Sequence, residues 1–226
     1  MAAALVEVRG LALGYEGRTT LRNVDLRVKE GECWLVLGHN GAGKTTLVRS
    51  IFGLIPPMAG TIRVLGHDVP PAGPRDLVRA GGRYLAQGPR SFDELSVGEH
   101  RSVLCRLHGF VGAGERASSP AARQRVGDLS VGMRRREALE LLLPGRPRLL
   151  VLDEPTASLD PASTGPVIRW LGAMRVQGIS LIVVEQAIEP LLGLADGALV
   201  LRSGEMTYSG PAAALRDRNE LARVFL

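Results

Sequence analysis

Residues 35–46 read Leu-Val-Leu-Gly-His-Asn-Gly-Ala-Gly-Lys-Thr-Thr. Within this stretch, Gly38 to Thr45 fits the pattern G-x-x-x-x-G-K-[ST] at every fixed position. An apolar run, Trp34 to Leu37, precedes the pattern, and a run compatible with a helix, Thr46 to Phe52, follows it. Glycines let the backbone N–H groups of such a loop turn inward and form an anion-binding nest at the start of a helix. The stretch therefore predicts a strand, a phosphate-binding loop and a helix.

Two side chains of this loop carry its expected chemistry. Lys44 is placed to reach the β- and γ-phosphates of a nucleotide, and the hydroxyl of Thr45 is placed to ligate Mg²⁺. Lys29 and Lys44 are the only lysines among the 28 Lys plus Arg residues. An ammonium fits between phosphates more easily than a planar guanidinium does, which favours a functional Lys44. The predicted nucleotide-binding residues of the loop are Gly38, Asn40, Gly41, Ala42, Gly43, Lys44, Thr45 and Thr46.

Composition limits the class of protein. With 226 residues, 45% hydrophobic and 23% charged, the chain is long enough for one globular domain. No window approaches the roughly 18 apolar residues of a membrane span, and the N-terminus lacks the pattern of a secretion signal. Cys33 and Cys105 are too few for a disulfide framework. We therefore expect a cytoplasmic protein.

The net charge of +5 does not indicate a nucleic-acid partner. The arginines are scattered singly, and the run 134–136 is the only tight group. No aromatic residues interleave with them, as they do in single-strand binders. We expect no nucleic acid among the partners.

Hydrophobic patterning predicts an α/β protein. Leu5 to Val8 reads as a short strand, and alternating apolar residues up to Val28 add further β-structure. Leu149 to Leu152 and Leu181 to Val184 are all-apolar runs, as in parallel strands buried on both faces. Strands that alternate with helices predict a mainly parallel sheet, with an antiparallel β-layer at the start of the chain.

A pair of acids follows the first of these runs. Asp153 and Glu154 come directly after Leu149 to Leu152, where ligands bind in open α/β sheets. Asp153 is predicted to hold the Mg²⁺ shell, and Glu154 to polarise the attacking water. Together with the phosphate-binding loop, this pair favours hydrolysis of a nucleoside triphosphate.

Over essentially its whole length, the chain resembles the ATP-binding subunits of ABC transporters. Gly38 to Thr46 matches the Walker A loop, and Leu149 to Glu154 matches Walker B. The resemblance also assigns Tyr15 as the adenine-stacking aromatic and Gln87 as the Q-loop glutamine and a metal ligand. It assigns Asp160 to the D-loop and places Gln186 at the position of the switch histidine. The catalytic residues that it implies are Glu154, Lys44, Gln87 and Gln186.

The resemblance implies a specific organisation. It implies a P-loop NTPase core spanning 1–226 and a small helical subdomain inserted at 88–143. It also implies ATP and Mg²⁺ as cofactors, a second ATPase subunit, and separate membrane permeases whose transport ATP hydrolysis drives. The chain would then sit peripherally on the cytoplasmic face of the membrane.

Three short stretches resemble one subgroup most. The wording at 37–46, 86–88 and 184–186 is most similar to importers of branched-chain amino acids or related amides and urea, in which two different ATPase subunits pair. An ABC ATPase for another solute stays open as an alternative.

The chain departs from the family at its signature loop. The family's Leu-Ser-Gly-Gly-Gln reads Leu-Ser-Val-Gly-Met at residues 129–133. In the family, this loop caps the γ-phosphate held by the opposite subunit, so the resemblance assigns that role to Ser130, Val131, Gly132 and Met133. Val131 is expected to strain a glycine-like backbone, and Met133 removes an amide donor. We expect the composite site that this loop serves to be weakened.

Two other functions remain open from the sequence. The altered signature and Gln186, which cannot become a cation, suit an ATP-binding partner that hydrolyses ATP weakly. A soluble ABC ATPase acting on nucleic acid or in cluster assembly is compatible with the net charge. However, no long coiled-coil insertion or second ATPase domain accompanies it.

Overall fold

The computed structural model describes residues 4–15, 18–88, 92–107, 120–186 and 188–225. In these ranges, ten strands form one sheet in the spatial order β5-β4-β1-β2-β10-β9-β3-β8-β7-β6. The strands are β1 (Ala4–Tyr15), β2 (Arg18–Lys29), β3 (Cys33–Leu37), β4 (Ala59–Val64), β5 (His67–Val69), β6 (Gly82–Leu85), β7 (Leu149–Asp153), β8 (Ser180–Glu185), β9 (Gly197–Arg202) and β10 (Glu205–Pro211). The helices are α1 (Lys44–Ile51), α2 (Pro74–Arg79), α3 (Val97–Leu107), α4 (Val131–Glu140), α5 (Pro161–Val176) and α6 (Arg218–Phe225).

The parallel half of the sheet is built from the apolar runs. β3 lies between β8 and β9 and pairs in parallel with both, while β7 pairs in parallel with β8 and β6. Every residue of β7 and β8 is buried, as strands covered on both faces require. Two hydrophobic clusters lie against the sheet. The predicted mainly parallel core is confirmed, and its carboxyl ends meet at one edge.

An antiparallel layer extends the other half of the sheet. β1 pairs antiparallel with both β2 and β4, and β4 pairs antiparallel with β5. The β-structure predicted up to Val28 is present, but β1 is 12 residues long and continues past the strand predicted at Leu5 to Val8. Bulges along β1 interrupt its period of two, which explains why its second half was not recognised in the sequence.

The helix α4 begins inside the signature loop, 129–133, and spans Val131–Glu140. Ser130 is its N-cap, and the Ser130 hydroxyl accepts a hydrogen bond from the Met133 N–H at 3.2 Å. The predicted helical subdomain, 88–143, includes α3, α4 and a small apolar cluster of Val97, Val126 and Leu129. Residues 89–91 and 108–119 of that range lie outside the described residues, and the subdomain boundary stays a prediction.

Both cysteines are buried. Cys33 lies in β3 and Cys105 in α3, with 2% and 5% of their surfaces exposed.

No helix among the described residues is long and apolar enough to cross a membrane.

Candidate nucleotide site

The phosphate-binding loop connects β3 to α1. Gly38 has a φ of 146°, and a Cβ there would lie 2.2 Å from the backbone oxygen of Leu201 in β9. Gly43, the N-cap of α1, has a φ of 101°, and a Cβ there would lie 2.5 Å from the side chain of Leu21. Both positions therefore require glycine, because β9 and β2 press against the loop. The first N–H groups of an α-helix have no partner within the helix, so the start of α1 after Gly43 offers donors to an anion.

Lys44 is folded back onto its own loop. Its Nζ atom donates to the carbonyl oxygens of Gly38 at 2.7 Å and His39 at 3.0 Å. The residue is 5% exposed, and burial lowers the pKa of its ammonium, an effect opposed by the carboxylates of Glu154 and Asp153. An ammonium held by two neutral carbonyls in a partly dry site is prepared to exchange them for charged phosphate oxygens.

The predicted metal ligands are only partly brought together. The Thr45 hydroxyl in α1 donates to Oδ1 of Asp153 at 3.1 Å, so these two oxygen ligands are adjacent. Burial raises the pKa of Asp153, which is fully buried. Gln87 contacts Glu154 rather than this pair.

The ligand types suit magnesium. Among the described residues, no group of three or more His, Cys, Asp or Glu side chains could hold a metal. Mg²⁺ is commonly held by one or two protein oxygens together with substrate phosphates. Thr45 and Asp153 therefore fit a metal that arrives with a nucleotide.

Glu154 is held between two glutamines. Gln87 Nε2 donates to one carboxylate oxygen at 2.7 Å, and Gln186 Nε2 donates to the other at 2.9 Å. Glu154 is 6% exposed and has a φ of 51°, so it turns sharply out of β7, and its N–H donates to the Val184 carbonyl in β8. Both predicted glutamines therefore donate hydrogen bonds to Glu154, the predicted general base.

The remaining predicted residues differ in how deeply they are buried. Asn40 and Gly41 are exposed at the tip of the loop, Ala42 is buried, and Thr46 is half-buried in α1. Asp160 is the N-cap of α5 and accepts hydrogen bonds from the N–H and hydroxyl of Ser163, at 2.9 and 2.8 Å. Tyr15 is the last residue of β1, and its side chain lies outside the described part of the structure.

The signature loop corrects one expectation. Val131 is the first residue of α4 and is not among the residues with positive φ, so the predicted backbone strain is wrong. The β-branched residue instead stands in an ordinary helical turn with 51% of its surface exposed. Met133 is 46% exposed. Gly132 packs closely on α5, since a Cβ there would lie 2.5 Å from the Ser163 hydroxyl.

Two polar residues of the site were missed in the sequence. Glu185, at the end of β8, is 3% exposed and accepts from the N–H and hydroxyl of Thr156, at 2.8 and 2.6 Å. It thereby fixes the loop that follows Glu154, and burial raises its pKa. Tyr84 in β6 donates to Oδ2 of Asp153 at 3.3 Å, and burial is the main reason that its pKa rises to about 12. A charged residue ending an all-apolar strand was the signal available for Glu185.

Comparison with known sequences decides the family. The sequence model described as ABC transporter matches residues 21–157. The chain belongs to the ABC transporter family. A probable ABC transporter ATP-binding protein of Azorhizobium caulinodans is 31% identical over 96% of this chain and 81% of its own length. A putative ABC transporter ATP-binding protein of Streptomyces avermitilis is 35% identical over 94% of this chain, which spans only 39% of that longer protein.

Solved ABC structures confirm the fold. The ADP conformation of MJ1267, an ATP-binding cassette of an ABC transporter, superimposes with a TM-score of 0.84 at 20% identity and covers 98% of both chains. The ATP-binding cassette MJ0796, a dimer in a post-hydrolysis state with ADP and phosphate, gives a TM-score of 0.80 at 21% identity, with 92% of this chain and 98% of that one covered. The predicted ABC ATPase fold is therefore confirmed.

Proposed function

We propose that this chain hydrolyses ATP to drive solute transport through separate permease subunits. The observation that carries the proposal is the convergence of Lys44, the Thr45–Asp153 pair and Glu154 at one edge of the sheet. The Thr45–Asp153 contact of 3.1 Å joins the two halves of the site. Membership of the ABC transporter family supports this assignment.

The residues divide the chemistry among them. Lys44 and the N–H groups of the loop bind the β- and γ-phosphates, and Tyr15 stacks on the base. Thr45 and Asp153 would hold Mg²⁺, which would neutralise charge on the phosphates when bound. Gln87 would support this metal site from its position beside Glu154. Glu154 accepts a proton from the attacking water, while Gln87 and Gln186 hold its two oxygens in place.

Hydrolysis requires a second ATPase subunit in this proposal. Ser130, Gly132 and Met133 lie at or beside the start of α4, where helix N–H groups attract anions, and in this proposal they form the surface offered to the partner's nucleotide. The D-loop residue Asp160 stands beside them at the start of α5. The chain then docks on permeases at the cytoplasmic face of the membrane.

The identity of the transported solute is the most specific part of the proposed function. The wording at 37–46, 86–88 and 184–186 supports import of branched-chain amino acids or related amides. Relatives bear different names, among them a Nod factor export protein of Neorhizobium galegae and a putative ribose and galactose importer of Agrobacterium fabrum. Uptake of labelled leucine, urea and ribose by vesicles with the assembled transporter separates these classes, because only the true solute should accumulate with ATP.

A weakly hydrolysing ATP-binding partner is the second candidate. Gln186 favours it, because the amide beside Glu154 cannot become a cation. The exposed Val131 and Met133 also favour it, because the surface offered to the partner's nucleotide lacks an amide side chain. Glu154→Gln in the assembled complex tests both candidates. We expect ATP turnover to fall about 100-fold or more while ATP binding persists, because general-base catalysis contributes that much.

The exposed Glu205→Gln is the matched control and should turn over ATP like the unaltered chain. Unchanged turnover in Glu154→Gln would refute its role as the base. Negligible ATP turnover at this chain's site in the unaltered complex would favour the second candidate, the weakly hydrolysing ATP-binding partner.

A further inference from the structure

A groove lies between α4 and α5, which pack against each other. It encloses a cavity of about 520 Å³, and Leu139 of α4 lines it together with Pro166, Val167 and Trp170 of α5. Sites for small organic molecules have volumes of about 300–1,000 Å³ and mostly apolar walls. The α4–α5 groove therefore has the size and the lining that a small organic molecule needs.

The groove begins at the signature loop and continues along both helices. Ser130, Gly132 and Met133 line it at the start of α4, and Leu139 lines it more than two turns later. At 1.5 Å per residue, Ser130 and Leu139 lie roughly 13 Å apart along the helix axis. Only one end of the groove therefore coincides with the surface assigned to the partner's nucleotide.

Two arginines line the groove, one from each helix. Arg136 of α4 and Arg169 of α5 are exposed, whereas Arg135, next to Arg136, is 7% exposed. Neither lining arginine forms an ion pair within the described part of the chain, and no acid is among the described residues that line the groove. A Cβ at Gly165 would lie 3.4 Å from Nη1 of Arg169, so this guanidinium lies back along α5 toward its start. The groove therefore carries two positive charges without a carboxylate partner.

The indole of Trp170 adds an unused hydrogen-bond donor. Its Nε1 atom is buried and has no hydrogen-bond partner among the described residues. In Trp34, the other tryptophan of the chain, Nε1 donates to Glu32 at 3.0 Å. A buried indole N–H normally has a partner, and one in the lining of a groove can find it in a ligand. Trp170 therefore offers an apolar ring and a free donor in the same groove.

We propose that the α4–α5 groove binds a small organic anion with an apolar body, a carboxylate or a sulfonate. The apolar body packs on Leu139, Val167 and the ring of Trp170, where burial of its surface favours binding. The anionic head accepts hydrogen bonds from the guanidinium groups of Arg136 and Arg169 and from the indole N–H. Hydrogen bonds between a cation and an anion are stronger than neutral ones, so the head fixes the class of ligand.

The test measures binding of 8-anilinonaphthalene-1-sulfonate to the full chain by calorimetry. Arg136→Gln combined with Arg169→Gln should raise the Kd at least about tenfold, because two charged donors are lost. Arg75→Gln combined with Arg79→Gln, at two exposed arginines of α2, is the matched control and should leave the Kd unchanged. Trp170→Phe keeps an aromatic ring but loses the donor, and should raise the Kd about two- to tenfold.

Two further compounds test the class of ligand. N-phenyl-1-naphthylamine has the same rings without the sulfonate, so the paired change at Arg136 and Arg169 should alter its Kd less than about twofold. Sodium sulfate should not displace the sulfonate dye more than sodium chloride does at equal ionic strength, because a bare anion gains nothing from the apolar walls.

Four results would each overturn the proposal. Equal Kd values in the paired groove variant and the α2 control would show that the dye binds elsewhere. An unchanged Kd in Trp170→Phe would mean that the free indole N–H takes no part. An equal loss for the uncharged dye would indicate a disrupted groove rather than a lost charge, and displacement by sulfate would indicate a site for a bare anion. Because binding is measured without ATP, the groove and the proposed ATPase, tested by Glu154→Gln, fail separately.

Discussion

The phosphate-binding loop and the signature loop lie on the same chain but are constrained in different ways. The first is enclosed by its own chain, with Lys44 buried and β2 and β9 pressed against Gly43 and Gly38. The second is an open surface, with Val131 and Met133 about half exposed. A loop completed by its own chain leaves little freedom for substitution. A surface that a partner completes, as we propose for residues 129–133, can change together with that partner, so the two regions need not be equally preserved.

Lys44→Ala attacks the enclosed loop and should have the largest effect. Loss of the ammonium removes a preorganised charge on the phosphates, so we expect turnover to fall about 100- to 1,000-fold and ATP binding to weaken as well. Lys29→Ala removes the only other lysine, which is 54% exposed at its side chain, and should behave as the unaltered chain. Equilibrium binding of labelled ATP and steady-state turnover measure both. Equal losses in the two variants would show that the enclosed loop is not the nucleotide site.

Met133→Gln probes the open surface and should have a smaller, opposite effect. It adds an amide that can donate to the partner's nucleotide, and a hydrogen bond of ~1 kcal/mol corresponds to a rise in turnover of about two- to tenfold. Met58→Gln, at another exposed methionine, is the matched control. ATPase assays of the assembled complex decide between them. A fall in turnover would mean that the partner has adapted to methionine and that the surface is not weakened.

Lowering the pH should have the smallest of these effects, a modest loss of folding stability that arises at His100 in α3. His100 in α3 is 5% exposed, both of its ring nitrogens lack partners among the described residues, and burial lowers its pKa despite the opposing charge of Glu137. Because the unfolded chain takes up this proton below about pH 6.5 and the folded chain resists it, stability falls as the pH drops below that value.

His100→Phe should remove this acid sensitivity. Between pH 7.5 and pH 5.5, we expect the Tm of the unaltered chain to fall further than the Tm of His100→Phe, by a difference of less than about 4 °C. His67→Phe, at an exposed histidine of β5, should keep the sensitivity of the unaltered chain. Thermal unfolding at the two pH values measures the difference. Identical slopes for both variants would exclude His100 as the source.

The contrast also explains what the sequence could predict. The loop at 38–45 and the acids at 153–154 were predictable because fixed spacing and an apolar strand specify them locally. The contacts of Gln87 and Gln186 with Glu154 join residues 67 and 32 positions away, and no local pattern encodes them. The strain predicted at Val131 was wrong because Ser130 starts the helix there and gives position 131 a helical backbone. Arg135 was hidden among three arginines, since burial separates it from its neighbours only after folding.

The buried cysteines make the intact chain suitable for distance measurements. Burial raises the pKa of Cys33 to about 12 and also raises the pKa of Cys105. Because both side chains are buried, we expect both thiols to react slowly with maleimides at neutral pH. A single cysteine introduced at Val176, which is 89% exposed at the end of α5, would therefore take up a fluorophore selectively. Energy transfer to a dye on the proposed second ATPase subunit would then report the distance between the two subunits, with both native cysteines left in place.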